Sequence, residues 1–283
     1  MSQVQGLFMK FFLVLAILVV SKFSYAIDYQ GGDIHANDSK WMNANLYHGI
    51  DQRGGPFKFT DTYLELEFGG RSGIVDYYGY VDFLDILNDS ESDRHDGDNS
   101  FAKVDLRFSL DAMFKKDLAL GAVKEWYIAT EYMDGDTALR VFWLGLGTDI
   151  ELPWLGLVGF NVQTRYYMEN FGASNEEKFD GIVLHVNWFK PFSFFGKDFI
   201  AFQGYADYEF FSKLNDTESS FYSDDSFQTY LGFWYHSKRY ALGYGAKIYK
   251  NMTQFKDGAS FFTGGPKFDT TGVGHYFNVT YKF

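Results

Sequence analysis

The sequence predicts an all-β chain, a 12-stranded antiparallel transmembrane β-barrel formed by a single chain. Three observations carry this. Beyond residue 26 the apolar pattern repeats every second residue, not every third or fourth. No segment there is apolar enough for a membrane helix, and a membrane span that is not a helix must be a closed barrel if every backbone group is to be paired. The composition suits strands and turns: 21% of residues are aromatic, with 21 tyrosines and 29 glycines.

Twelve segments carry the alternation, starting near Trp41, Thr60, Gly73, Phe101, Val123, Ala138, Gly156, Asp180, Phe199, Phe227, Tyr240 and His275. In the second, Leu64, Leu66 and Phe68 face away from Tyr63, Glu65 and Glu67. In the third, Val75, Tyr77, Gly79, Val81 and Phe83 oppose Asp76, Tyr78, Tyr80 and Asp82. The fourth sets Ala102, Val104, Leu106 and Phe108 against Lys103, Asp105, Arg107 and Ser109. The fifth sets Trp126, Ile128, Thr130 and Tyr132 against Glu125, Tyr127 and Glu131. In the seventh, Val158, Phe160 and Val162 oppose Asn161, Gln163 and Arg165. In the eighth, Ile182, Leu184, Val186 and Trp188 oppose His185 and Asn187. In the eleventh, Tyr240, Leu242, Tyr244, Ala246 and Ile248 oppose Lys247 and Tyr249. The segments near Ala138 and Phe199 are less regular.

The last segment is the clearest. His275, Phe277, Val279, Tyr281 and Phe283 share one face, and Tyr276, Asn278, Thr280 and Lys282 the other. A one-residue slip would turn every side chain over. With Phe283 facing lipid, the second set must face the lumen. An even strand count puts both termini at the periplasmic side.

The connections give an independent check. Those expected to face outward, residues 87–100, 169–178, 211–226 and 251–273, are long, polar and mostly acidic. Residues 69–72 and 236–239 are tight turns. Residues 110–122 break this trend, being long and partly apolar, and are expected to hold a short helix or a plug-like segment. Pro56, Pro153, Pro191 and Pro266 are all expected in connections, where no ladder hydrogen bond is lost.

The N-terminus reads as a signal peptide over residues 1–26. Lys10 supplies the basic region, the apolar run 11–20 is too short to span a bilayer, and Ser24-Tyr25-Ala26 fits the cleavage pattern. The stretch from Met9 resembles a complete signal by itself, which makes Met9 an alternative start to Met1. Cleavage would leave one barrel domain, residues 27–283. It would also remove two of the 25 basic residues and none of the 37 acidic ones, taking the net charge from −12 to −14. Such an acidic chain is a poor nucleic-acid binder. The absence of cysteine excludes a disulfide framework and thiolate metal ligands.

Twelve strands lie between barrels filled by side chains and those with wide aqueous pores. The candidate lumen residues are Glu65, Glu67, Asp76, Tyr78, Tyr80, Asp82, Asp105, Arg107, Tyr127, Glu131, Arg165, His185, Gln203, Tyr205, Lys247, Tyr249 and Tyr276. Many of these would form ion pairs that only fill the wall. The tyrosines offer flat faces beside hydrogen-bonding groups, which suits a solute with a planar ring and hydroxyls, and the acidic charge disfavours phosphorylated ones.

Several motifs together carry a family resemblance. They are Gly32-Asp33-Ile34-His35-Ala36-Asn37-Asp38-Ser39-Lys40-Trp41, Tyr63-Leu64-Glu65-Leu66-Glu67-Phe68-Gly69-Gly70-Arg71-Ser72-Gly73-Ile74 and Tyr78-Gly79-Tyr80-Val81-Asp82. Further ones are Asn187-Trp188-Phe189-Lys190-Pro191-Phe192, Gln203-Gly204-Tyr205, Tyr240-Ala241-Leu242-Gly243-Tyr244-Gly245, Gly274-His275-Tyr276 and Val279-Thr280-Tyr281-Lys282-Phe283. On these the chain resembles the nucleoside-specific outer-membrane channel (Tsx-like) family, particularly its marine, Vibrio-type branch. The resemblance implies a monomeric barrel in the outer membrane of a Gram-negative bacterium, set among lipid and lipopolysaccharide. It implies passive, selective diffusion of nucleosides and deoxynucleosides, with phage or colicin binding at the outer loops of some members. The terminal Phe283 resembles the signal read by barrel-assembly machinery.

Two other functions compete with this one. A structural barrel acting mainly as a phage or colicin receptor would rely on its acidic loops. The loop 88–98, with Asp93, Asp96 and Asp98, lacks EF-hand ligand spacing and reads as solvated rather than as a metal site. An outer-membrane enzyme would need a serine activated by a histidine. His35, His48, His95, His185, His236 and His275 offer no such partner by strand parity. No enzyme activity, metal or cofactor is expected.

Overall fold

The structure, a computed structural model, describes residues 33–93, 95, 99–135, 138–217 and 221–283. The expected signal peptide, residues 1–26, lies outside them, as do Asp96 and Asp98 of the acidic loop.

Twelve strands form one closed antiparallel sheet: β1 (Ser39–Arg53), β2 (Lys58–Ser72), β3 (Val75–Phe83), β4 (Ser100–Ser109), β5 (Val123–Asp134), β6 (Leu139–Leu152), β7 (Gly156–Asn170), β8 (Lys178–Phe195), β9 (Asp198–Phe210), β10 (Ser226–His236), β11 (Tyr240–Lys250) and β12 (Gly272–Lys282). Each pairs with its sequence neighbours, and β1 closes the ring on β12, Asn43 opposite Lys282 and Ile50 opposite His275. Closure gives every strand a partner on both sides through the body of the wall, as lipid requires. Among the described residues no helix is long and apolar enough to cross a membrane.

The wall inverts the usual soluble pattern. Leu146, Phe233, Leu242, Phe277 and Val279 point outward and are exposed, while Asp61, Glu65, Glu125, Asp149, Arg165 and Asp207 point inward and are buried. Apolar-out, polar-in alternation is the pattern a bilayer selects. Phe283 is 75% exposed and its N–H donates to Met42 O at 3.1 Å, which fixes the register of the closing seam.

Pro191 departs from expectation: it lies within β8, opposite Ala201. The pairing of β8 with β7 ends at Trp188. From there β8 has a neighbour on one side only, and a residue without an N–H is tolerated on an open edge.

The two ends of the barrel differ. At the end carrying the chain termini the strands are joined mostly by tight turns. The β2–β3 turn needs only Gly73 and Ile74, and Gly73 takes the left-handed φ of +57°. The exception follows β4, where the helix α1 (Leu110–Phe114) opens the connection, its N-terminus capped by Ser109.

At the opposite end the long connections fold on one another, around the short helix α2 (Leu214–Thr217). Ala173, Leu214, Tyr222, Phe255 and Phe268 form a small apolar core shared by three connections. Arg53 ties this cap to β1, its guanidinium 2.7 Å from the Asp269 carboxylate. These connections are polar in composition, but scattered aromatics organise them.

Asp38, ahead of β1, receives the Gly73 N–H at 2.7 Å and lies 2.9 Å from His35 Nδ1. The Gly73 amide, then His35, hold its carboxyl below the usual carboxylate range. A lowered folded value stabilises docking above the ordinary 3.8, and this is lost as the pH falls through the lowered value. Hydrogen exchange should therefore show the Gly73 amide protected at neutral pH and released on strong acidification. Asp38→Asn should release it at neutral pH.

Candidate functional site: the barrel lumen

Every candidate residue from the strand pattern projects into the interior, because directly paired residues share a face and the pairing closes consistently around the ring. They divide into two groups by what surrounds them.

One group is tied into ion-pair networks along the wall from β2 to β9, with Glu125, Tyr127, Glu131 and Arg165 buried and Asp76, Lys103, Asp105 and Arg107 half-buried. Arg71 grips Glu125 through two N–H groups, at 3.0 and 2.5 Å, and lies 3.3 Å from Asp76. Ser109 donates to the same Glu125 carboxylate. Arg107 pairs with Asp149 at 2.5 Å and stacks 3.7 Å over the Tyr127 ring, whose hydroxyl donates to Asp149 at 2.8 Å. Lys103 bridges Glu131 at 2.8 Å and Asp105 at 3.7 Å. Arg165 pairs with Glu209 across the β7–β9 side. Charges held this way are compensated and lock the barrel cross-section on this side.

The other group borders free space. Tyr47, Tyr63, Tyr78, Tyr80, Tyr205, Tyr230 and Lys247 point inward yet keep accessible surface. Tyr47 and Tyr63 stack at 5.0 Å between centroids, and Tyr205 stacks on Tyr230 at 6.3 Å. The Lys247 ammonium lies 5.5 Å from the centre of the Tyr205 ring and 5.6 Å from that of Tyr249. Among the described residues it forms no ion pair within 4 Å; the two rings give it cation–π contact, and the Asp207 and Asp82 carboxylates attract it from further off. Along β1–β3 runs a polar seam. Thr280 donates to Asn45 at 2.7 Å, Asn45 to Glu65 at 2.7 Å, and Tyr78 and Asn43 each to Glu67 at 3.1 Å.

Tyr249 and Tyr276 stand apart from the other candidates. Their hydroxyls meet at 2.5 Å, and they are 1% and 6% exposed. They brace the wall behind the open face. Asp82 and Gln203 sit half-buried beside the free space, and Gln203 contacts His236 at 3.3 Å. His185 is fixed by Asp207, 2.6 Å from Nδ1, and Gln228 donates to the other Asp207 oxygen at 3.0 Å.

Sequence reasoning passed over Tyr47, Tyr230, Asp149 and Asp207. Tyr230 and Asp207 lie on the less regular stretch from β9 into β10. Asp207 lies two residues past Tyr205 on the same strand, so parity extended along β9 reaches it, and register then sets it directly across from His185. Tyr230 is the direct partner of Tyr205 on β10, so it is the cross-strand register that assigns it to the same face.

The sequence matches the family described as "Nucleoside-specific channel-forming protein, Tsx" over residues 36–283. It is 42% identical to the outer membrane protein OmpK of Vibrio parahaemolyticus, over 91% of this chain and 93% of that one. It is 29% identical to the nucleoside-specific channel-forming protein Tsx of Klebsiella pneumoniae, over 87% of this chain and 90% of that one. Among solved structures, the KdgM porin superposes with a TM-score of 0.46 at 8% identity, over 85% of this chain and 99% of that one. With the match spanning every strand of the barrel, the chain belongs to the nucleoside-specific channel-forming (Tsx) family of outer-membrane proteins.

Proposed function

We propose that this barrel carries nucleosides and deoxynucleosides passively across the outer membrane through a narrow, tyrosine-lined lumen. The observation that carries this reading is the set of half-exposed tyrosines around the free space, with Glu67, Asp82 and Lys247 beside them. Base–aromatic stacking contributes about 1–3 kcal/mol per base. That holds a base in the pore and still lets it leave, as conduction requires. The acids suit ribose hydroxyls as acceptors and repel phosphates, so nucleosides pass in preference to nucleotides. The names borne by the enteric relatives point the same way.

In this reading the termini and short turns face the periplasm and the long, capped loops face outward, the arrangement usual for single-chain bacterial barrels. The chain works as a monomer, Phe283 serves as its assembly signal, and the folded cap is where a phage would land.

Planar-bilayer recordings test the pore. Adenosine and thymidine should block single-channel current, and glucose should not. Tyr205→Ala should weaken adenosine block by about 1–3 kcal/mol, or about thirtyfold midway in that range. Tyr205→Phe should keep most of it. Equal passage of glucose with no nucleoside block would sink the reading.

A further inference from the structure

The connection after β4 does not sit beneath the lumen. Trp126 faces outward by strand parity, and its indole N–H donates to Leu118 O at 3.2 Å. Asp111 reinforces this, accepting the Leu118 N–H at 2.8 Å and the Trp126 N–H at 3.1 Å. The second half of the connection is thereby held against the outside of the wall.

What it presents there is apolar. Phe114 is 60% exposed and Leu120 75%, and Met113 is also exposed. Leu146, on the bilayer-facing wall of the neighbouring β6, is 59% exposed. The apolar surface of the connection thus continues the lipid-facing band toward the terminal rim, where the β6–β7 turn adds an exposed Trp154. Lys115 and Lys116 are exposed immediately after Phe114. Aromatic and aliphatic side chains followed at once by paired cations form the pattern of an interfacial anchor, with apolar groups among acyl chains and ammoniums at headgroup phosphates.

We propose that residues 113–120 form a membrane-interface foot. Phe114 and Leu120 enter the lipid leaflet at the terminal end of the barrel, and Lys115 and Lys116 bind the phosphates of anionic lipid headgroups there. The partner is a lipid surface, recognised by the continuity of this patch with the bilayer-facing wall and by the charge of the lysine pair.

The chain has no cysteine, so single cysteines can be introduced and spin-labelled cleanly. Phe114→Cys and Leu120→Cys would each carry a nitroxide in bilayers of phosphatidylethanolamine and phosphatidylglycerol. Leu146→Cys would report the lipid wall and Phe262→Cys the aqueous loops. Labels at 114 and 120 should collide with oxygen much as the one at 146 does, and should be several-fold less open to a water-soluble nickel chelate than the one at 262. Reversing both lysines (Lys115→Glu, Lys116→Glu) should raise nickel access at both positions. The proposal is overturned if 114 and 120 behave like 262, or if charge reversal leaves their depth unchanged. Heat-modifiable gel mobility identifies folded variants, and either label alone suffices if the other variant misfolds.

Discussion

Replacing Glu125 with alanine should lower the unfolding free energy by about 3–5 kcal/mol, the cost of stripping one partner from a buried ion pair. Glu125 is fully buried and holds two Arg71 N–H groups and the Ser109 hydroxyl. Its loss leaves a guanidinium facing a low-dielectric wall. Asp76, 3.3 Å from Arg71, keeps part of the compensation and moves the expected effect toward the lower end of the range. Glu125→Gln retains the shape and loses the charge, so it should fall between wild type and Glu125→Ala. Because this carboxylate is sealed from the free space, single-channel conductance should be unchanged in both. Urea unfolding in lipid vesicles, paired with bilayer recordings, separates the two readouts. A stability change below about 1 kcal/mol would show that the pair is no more than a surface-like contact, and altered conductance would show that it borders the pore.

The same contrast explains what could be read from the sequence. A period of two assigns each side chain to one face, so all twelve strands were legible one strand at a time, and with them the inward face of the more regular ones. Which inward residues touch water was not. That depends on what stands opposite on the neighbouring strand: Tyr205 and Tyr249 lie on equivalent faces, yet Tyr249 is sealed by its contact with Tyr276 while Tyr205 stays open. Pro191 misled because a strand can run beyond its neighbour, and strand length is set by pairing rather than by composition. The cap was hidden for another reason. Its core residues, among them Leu214, Tyr222 and Phe255, follow no helical or strand period, and only tertiary contact groups them.

The last prediction concerns how the pore is kept open. Tyr230 lies flat on a floor of glycine. A Cβ at Gly245 would sit 2.3 Å from two carbons of its ring, and one at Gly232 would sit 2.7 Å from a third. Gly243 does the same beneath Trp234, at 2.5 Å. Only hydrogen at these positions lets large aromatics hug the wall rather than stand out across the lumen. Gly245→Val should therefore push the Tyr230 ring into the free space. Overpacking of this kind costs about 1–3 kcal/mol where the structure cannot yield. Here one side of the ring is open, so the stability loss should fall at the low end, and the larger effect should be on transport. We expect single-channel conductance and nucleoside flux to drop several-fold, with Gly245→Ala intermediate. Tyr230→Ala in the Gly245→Val background should restore conductance, because the displaced ring is then gone. That rescue tests the mechanism directly. If Gly245→Val conducts normally, Tyr230 does not border the conduction path. If the double variant stays blocked, the valine narrows the pore by itself or distorts the wall, and the ring is not the gate.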